Sequence, residues 1–107
     1  MVNWKALQKR IPPRVYAGKK VWYQILWVDS FEGDAYVGLT SHTLKQITIK
    51  KGMSPKQTVL TYLHEIIHMF SDEADIKVTE AQVQLIESVL HLVLKSGNVF
   101  ISKGKRK

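Results

Sequence analysis

His64, Glu65 and His68 form a His-Glu-x-x-His pattern, the five-residue stretch of this chain whose residue types and spacing predict a reaction. Histidines four residues apart lie one turn apart on the same face of an α-helix, so two imidazoles can bind one Zn²⁺. The glutamate points to another side of the helix, where it can orient a water molecule and accept its proton. The pattern therefore predicts a zinc-dependent hydrolase.

Helix signals surround this motif. Ser54 offers an N-cap side chain, Pro55 suits the first helical position, and Gln57 completes a capping-box pattern. Apolar residues then recur at helical spacing, which predicts a helix over residues 55–71 with both histidines away from the centre of its apolar face. An alternative is that the histidines are ordinary polar residues on the helix flank. The predicted apolar face consists of Val59, Leu63, Ile66, Ile67 and Phe70.

A second helix is predicted over residues 80–96. Thr79 and Gln82 form another capping-box pattern, and Gly97-Asn98 is a suitable stop. Because the connection is nine residues at most, the two helices should form an antiparallel hairpin. The apolar stripe of the second helix consists of Val83, Ile86, Leu90 and Val93.

A catalytic zinc needs a third protein ligand and an open position for water. In an antiparallel hairpin Glu80 lies level with His68, whereas Glu87 lies about 10 Å further along the helix axis. Glu80 is therefore the predicted third ligand, although an acid in the first turn also favours the helix dipole without any metal. The other acidic candidates are Glu87, Glu73, Asp72 and Asp75.

Residues 1–50 predict a small sheet preceded by an arm. Residues 20–29 are rich in β-branched and aromatic types, and residues 35–40 and 44–50 predict two further strands. The arm, residues 1–19, holds one short helix before Pro12-Pro13 excludes regular structure. Strands followed by helices argue for an α+β domain with a three-stranded antiparallel or mixed sheet, a histidine-bearing helix and an antiparallel glutamate helix.

The segment from about residue 54 to 100 resembles very small His-Glu-x-x-His proteins of bacteriophages and prophages. These are similar to minimal gluzincins and, more distantly, to the metallopeptidase domain of ImmA/IrrE-type proteins. The shared pattern is the motif helix, a short turn and Thr/Ser-Glu-x-x-Val opening a second helix, here Thr79-Glu80-Ala81-Gln82-Val83. The resemblance implies a zincin-like fold, a zinc ion held by His64, His68 and Glu80, and a protein or peptide substrate. Larger gluzincins have a longer gap before their glutamate.

The residues of this segment predict a mechanism of peptide hydrolysis. Zinc would make hydroxide available near neutral pH, and Glu65 would act as the general base and return the proton to the leaving amine. The strand over residues 35–40 is expected to align an extended peptide by strand addition. Candidate donors to the developing oxyanion are Tyr62, His42 and His91.

Composition agrees with one globular domain over residues 1–107. The chain is 45% hydrophobic and has no cysteine, which leaves histidine and carboxylate side chains as metal ligands. Neither a signal-peptide pattern nor an apolar run of membrane length is present, so a soluble cytoplasmic protein is expected, in a bacterial host cell if phage-encoded. Nothing in the sequence marks a specificity pocket or an oligomeric state.

The net charge of +7 is unevenly distributed. Residues 1–20 carry six basic side chains and no acid, and residues 102–107 form a basic tail. These ends favour solubility or, alternatively, bind nucleic acid, in which case the histidine motif is incidental. Trp22 and Trp27 fit a strand core better than a base-stacking surface. Three functions thus stay open: a zinc peptidase, a zinc-binding regulatory module without turnover, and a nucleic-acid-binding domain.

Overall fold

The computed structural model describes residues 2–18, 20–34 and 36–96. The order of elements confirms the α+β class. The predicted end of the second helix at Gly97-Asn98 and the basic tail lie outside the described residues. No helix in this described part combines the length and apolar character required to cross a bilayer. The elements are α1 (Trp4–Lys9), β1 (Arg14–Gly18), β2 (Val21–Val28), a 3₁₀ turn (Glu32–Asp34), β3 (Gly38–Ser41), β4 (Gln46–Lys50), α2 (Pro55–Ala74) and α3 (Glu80–Ser96).

The sheet has four strands in the order β1-β2-β4-β3 and is mixed. β2 and β4 are parallel, whereas β1 pairs antiparallel with β2 and β3 pairs antiparallel with β4. The predicted three-stranded sheet omits β1, which begins immediately after Pro12-Pro13 in the segment interpreted as an arm. Five residues are too few to show a clear period, and β1 forms because β2 is close enough in the chain to pair with it as a hairpin.

One face of the sheet packs on α2 and forms the core. Alternate residues of the two central strands point to this face, as the period of two in a strand requires. They are joined by Met69 from α2 in a cluster with no or almost no exposure. The largest members of the cluster are Tyr23, Ile25, Ile47, Ile49 and Met69.

The buried face of α2 differs from the predicted apolar stripe. Thr58, Thr61 and Glu65 are buried together with Val59, whereas Phe70 is 48% exposed. The side of α2 that meets the sheet therefore carries polar residues among apolar ones. Hydrophobic periodicity placed the inward direction wrongly because it weighted Phe70 and ignored the buried polar side chains.

Capping residues set the ends of both long helices. The Ser54 side chain accepts a hydrogen bond from the Gln57 N–H at 3.1 Å, as predicted for the start of α2. At the start of α3, Thr79 and Gln82 bond reciprocally at 2.9 and 3.1 Å, which confirms the second capping box. α2 continues to Ala74, three residues beyond its predicted end, and closes on Asp75 in a left-handed conformation.

Glu73 ties the end of α2 to the sheet. Its Oε2 accepts hydrogen bonds from the Tyr23 hydroxyl at 2.7 Å and the Lys45 ammonium at 2.6 Å, and lies 3.2 Å from His42 Nε2. The hydrogen bonds from Lys45 and then Tyr23 lower the pKa of Glu73. Burial, and then the bond to Glu73, raises the pKa of Tyr23. Glu73 therefore serves the fold and does not join the two motif histidines.

The Glu73 contact predicts a pH-dependent contribution to stability. Because the folded state lowers the pKa of this carboxyl, its contribution is present at neutral pH and is lost as pH falls through the lowered pKa. Glu73→Gln should lower the melting temperature at pH 7, and the difference from the wild type should shrink below about pH 5. Thermal melts across this range measure it, and a difference that is constant with pH would contradict the assignment.

Candidate metal centre

The structure brings His64, His68 and Glu80 together. One ligand atom from each residue lies within 4.8 Å of the others. His64 Nε2 is 3.4 Å from one carboxylate oxygen of Glu80, and His68 Nε2 is 3.2 Å from the other. The atoms that converge are thus two imidazole nitrogens and the oxygens of one carboxylate.

The secondary structure explains this convergence. The two histidines are one turn apart on α2, and their rings lie side by side with centroids 5.0 Å apart and planes inclined at 57°. Glu80 is the first residue of α3, which the capping box starts directly after a short connection. An antiparallel neighbour begins beside the end of the helix before it, so the first turn of α3 lies next to His68.

The donor set fits a catalytic zinc ion. Two histidines and one glutamate leave one position of a tetrahedral ion open, which is the arrangement of catalytic rather than structural sites. Access to solvent agrees with that arrangement, since the side chain of Glu80 is 67% exposed and those of the histidines are about one quarter exposed. Zinc and similar divalent ions that accept nitrogen and oxygen ligands suit this group.

Glu87 holds His64 from the other side. Its Oε1 lies 3.2 Å from His64 Nδ1, the ring nitrogen that does not face Glu80. A carboxylate on the second nitrogen of a metal-binding histidine sets its tautomer and orientation. Glu87, one of the acidic candidates for the third ligand, thus contacts the His64 ring from outside the group formed by His64, His68 and Glu80. The sequence indicated Glu87 only as a candidate ligand, although its spacing of seven from Glu80 places both residues on one face of α3.

Glu65 is buried beside this cluster, with 7% of its surface exposed. The Thr40 hydroxyl lies 2.7 Å from Glu65 Oε1 and 3.1 Å from the backbone oxygen of the same residue. Thr40 therefore orients the carboxylate from β3. The helix and strand approach closely because residue 38 is glycine, where a Cβ would lie 2.7 Å from Thr61 Cγ2 and 3.0 Å from Glu65 Oε2.

A cleft runs past the cluster between β3 and the two long helices. Its central cavity, of about 390 Å³, is lined by both histidines, Glu65 and Glu80. A cavity of about 420 Å³ shares His68 with it and extends towards Lys77. On the opposite side a further cavity shares His64 and extends towards Gln84. The candidate centre thus lies midway along a groove with space on both sides.

The three residues expected to stabilise an oxyanion occupy different places. Tyr62 is half-buried against the core, where burial raises its pKa, and it faces α1 rather than the cleft. His91 packs edge-on against Trp4, with ring centroids 5.4 Å apart. His42 lines the neighbouring cavity and lies beside Glu73. Tyr36 also lines the central cavity, although the sequence did not indicate it as a site residue: it belongs to the predicted strand over residues 35–40 and in the structure precedes β3.

No protein family, curated protein or solved structure matches this chain at significant similarity. The resemblance to gluzincins consequently stays a prediction that rests on the motif residues.

The contact between Glu87 and His64 predicts a graded effect on metal affinity. Glu87→Ala should weaken zinc binding about 10- to 100-fold because His64 loses the group that orients it, while Glu87→Gln, which keeps an acceptor, should lose less. Competition with a chromophoric chelator measures the affinity. Gln84→Ala is the matched control, since Gln84 lines the same cavity. If Glu87→Ala abolishes binding and Glu80→Ala leaves it intact, the assigned roles of the two glutamates are wrong.

Proposed function

We propose that this protein is a zinc-dependent metallopeptidase of the minimal gluzincin type. The observation that carries the proposal is the convergence of His64, His68 and Glu80 at a solvent-accessible point beside the buried carboxylate of Glu65. Each of these four residues has the chemical type that its proposed role requires. Packing of the apolar core does not require a histidine or a glutamate at any of these positions.

Bound zinc would supply a Lewis acid that activates water and polarises the carbonyl of the scissile peptide bond. Glu65 accepts a proton from the attacking water as the water oxygen bonds to the carbonyl carbon. The carbon–nitrogen bond then breaks, and Glu65 returns the proton to the leaving amine. Thr40 binds Oε1 of the carboxylate, which keeps Glu65 in one orientation and leaves Oε2 for proton transfer.

The outer edge of β3, which pairs with no other strand among the described residues, supports a peptide substrate. The backbone oxygen of Val37 accepts a hydrogen bond from the Lys50 N–H at 2.9 Å, so Val37 and Leu39 direct their backbone groups to β4. Hydrogen-bonding direction alternates along a strand, and the backbone groups of Gly38 and Thr40 therefore point to the unpaired edge. An extended peptide can add to this edge as a further strand next to Glu65.

The shape of the cleft favours cleavage within a chain rather than at its end. Cavities continue on both sides of the metal-binding cluster, one past His68 and one past His64. A polypeptide lying along β3 can thus extend in both directions from the scissile bond. We therefore assign an internal, unstructured segment of a protein as the substrate class.

Metal content and turnover test this proposal together. The wild-type protein, purified without added metal, should contain one zinc per chain and should cleave a fluorescently labelled unfolded protein until a chelator is added. Glu65→Gln should keep its zinc and lose turnover by about a hundredfold or more, because the general base is gone. His68→Ala should lose the zinc.

Two outcomes would contradict the peptidase assignment. Zinc binding with equal behaviour of the wild type and Glu65→Gln would identify a binding module without turnover. Absence of zinc from the wild type, before and after dialysis against the metal, would remove the metal centre altogether.

The hydrogen bond from Thr40 predicts an effect on turnover alone. Thr40→Val should lower kcat about tenfold or more at unchanged zinc content, because Glu65 loses a bond to its charged form. Thr40→Ser, which keeps the hydroxyl, should restore most of kcat. Thr48→Val makes the same change on the neighbouring strand with the side chain on the opposite face of the sheet and should have no effect. A loss that appears in KM and leaves kcat unchanged would argue against this role.

A further inference from the structure

The face of the sheet that points away from α2 carries a different set of side chains. The residues that alternate with the buried core positions lie here, and within residues 2–18, 20–34 and 36–96 the contacts between sheet and helices involve α2 alone. We call this surface the outer sheet face. Its polar and aromatic residues are Arg14, Tyr16, Trp22, Gln24, Gln46, Thr48 and Lys50.

Two exposed aromatic rings lie side by side on the outer sheet face. Tyr16 and Trp22 are cross-strand partners, with ring centroids 4.9 Å apart. They are 50% and 45% exposed, so the expectation that Trp22 belongs to the strand core is wrong. Large aromatic rings on a solvent-facing sheet lose little entropy on binding and offer flat surfaces to a planar ligand.

Arginine and glutamine side chains continue this surface. The guanidinium of Arg14 lies 4.3 Å from the centroid of the Trp22 ring. Gln24 pairs with Arg14 across one strand boundary and with Gln46 across the next. A planar cation, two aromatic rings and two amides thus lie within three adjacent strands. These groups can stack on nucleobases and bond to their edges.

The net positive charge of the chain comes from the part of the sequence that contains the four strands. Residues 1–64 contain ten basic and three acidic side chains, which account for the whole net charge of +7. The four strands contain no acidic residue. The three acids lie in the connection between β2 and β3, and one of them, Asp29, is 3.3 Å from Lys51. The strands therefore carry basic side chains and no acidic one, and both basic residues, Arg14 and Lys50, lie on the outer sheet face, where they favour an anionic ligand.

We propose that the outer sheet face binds single-stranded nucleic acid. Unpaired bases stack on Tyr16 and on the exposed part of Trp22, while the charges of Lys50 and of Arg14, which lies over the Trp22 ring, attract the phosphates. Stacking requires bases that are not already paired, which favours single strands over a duplex. The surface lies on the opposite side of the sheet from Glu65 and the motif histidines, so this binding function is independent of the proposed peptidase.

Fluorescence anisotropy with labelled oligonucleotides of about 20 nucleotides tests this proposal. The probes are single-stranded DNA, single-stranded RNA of the same base, and a DNA duplex of the same length. The full-length protein should bind a single strand more tightly than the duplex, and comparison of the two single strands identifies the preferred sugar. Affinity should fall steeply between about 50 and 200 mM salt and should not change with a chelator or in Glu65→Gln.

Substitutions on the outer sheet face distinguish base stacking on aromatic rings from electrostatic attraction of the phosphates. Trp22→Ala should weaken single-strand binding about fivefold or more, and Arg14→Gln should also reduce the salt dependence. Phe70→Ala and Lys56→Gln are the matched controls, since Phe70 is exposed to a similar extent at 48% and both lie on α2. Thermal melts establish that each variant is folded.

Three results would overturn the proposal. One is tighter binding of the duplex, and another is equal binding by the wild type and folded Trp22→Ala. The third is no measurable binding of any oligonucleotide at low salt. None of these results bears on zinc content or peptide cleavage, so the proposed nucleic-acid binding and the proposed peptidase activity are tested independently.

Discussion

The packing of α3 against α2 is the constraint on which the candidate centre depends. Two histidines on one helix would supply only two ligands to a metal ion, and the third would come from Glu80, the first residue of the next helix. The short connection and the Thr79–Gln82 capping box together place Glu80 within 3.2 Å of His68 Nε2 and 3.4 Å of His64 Nε2. A shift of one residue at the start of α3 would rotate Glu80 by about 100° and separate the three groups.

A buried carboxylate is the second feature that the fold must accommodate. Glu65 occupies the side of α2 that faces the sheet, where an apolar residue would pack without cost. The absence of a side chain at Gly38 makes room for the carboxylate. The Thr40 hydroxyl donates a hydrogen bond to it. Functional positions commonly break the local pattern in this way, with compensation from neighbouring elements. Here the compensation comes from β3, the strand whose free edge borders the same cleft.

The molecule therefore has two chemically different sides. The helical side gathers acids around the histidines, and the outer sheet face carries aromatic, amide and basic groups. Divalent cations and polyanions would be attracted to opposite surfaces of one small domain. Glu73, at the end of α2, binds Tyr23 of β2 and Lys45 before β4 and thus lies apart from His64 and His68.

Apart from the choice of Glu80, which followed from the short connection between the two long helices, the sequence by itself determined local features: the His-Glu-x-x-His spacing, both helix starts and the α+β order of elements. These depend on residues within one or two turns of each other, where spacing and capping chemistry act directly. Tertiary structure decided which face of α2 is buried, that β1 joins the sheet, that Glu87 supports His64, and that Trp22 is exposed. Each of these depends on contacts between residues distant in the chain, and no period along one segment carries that information.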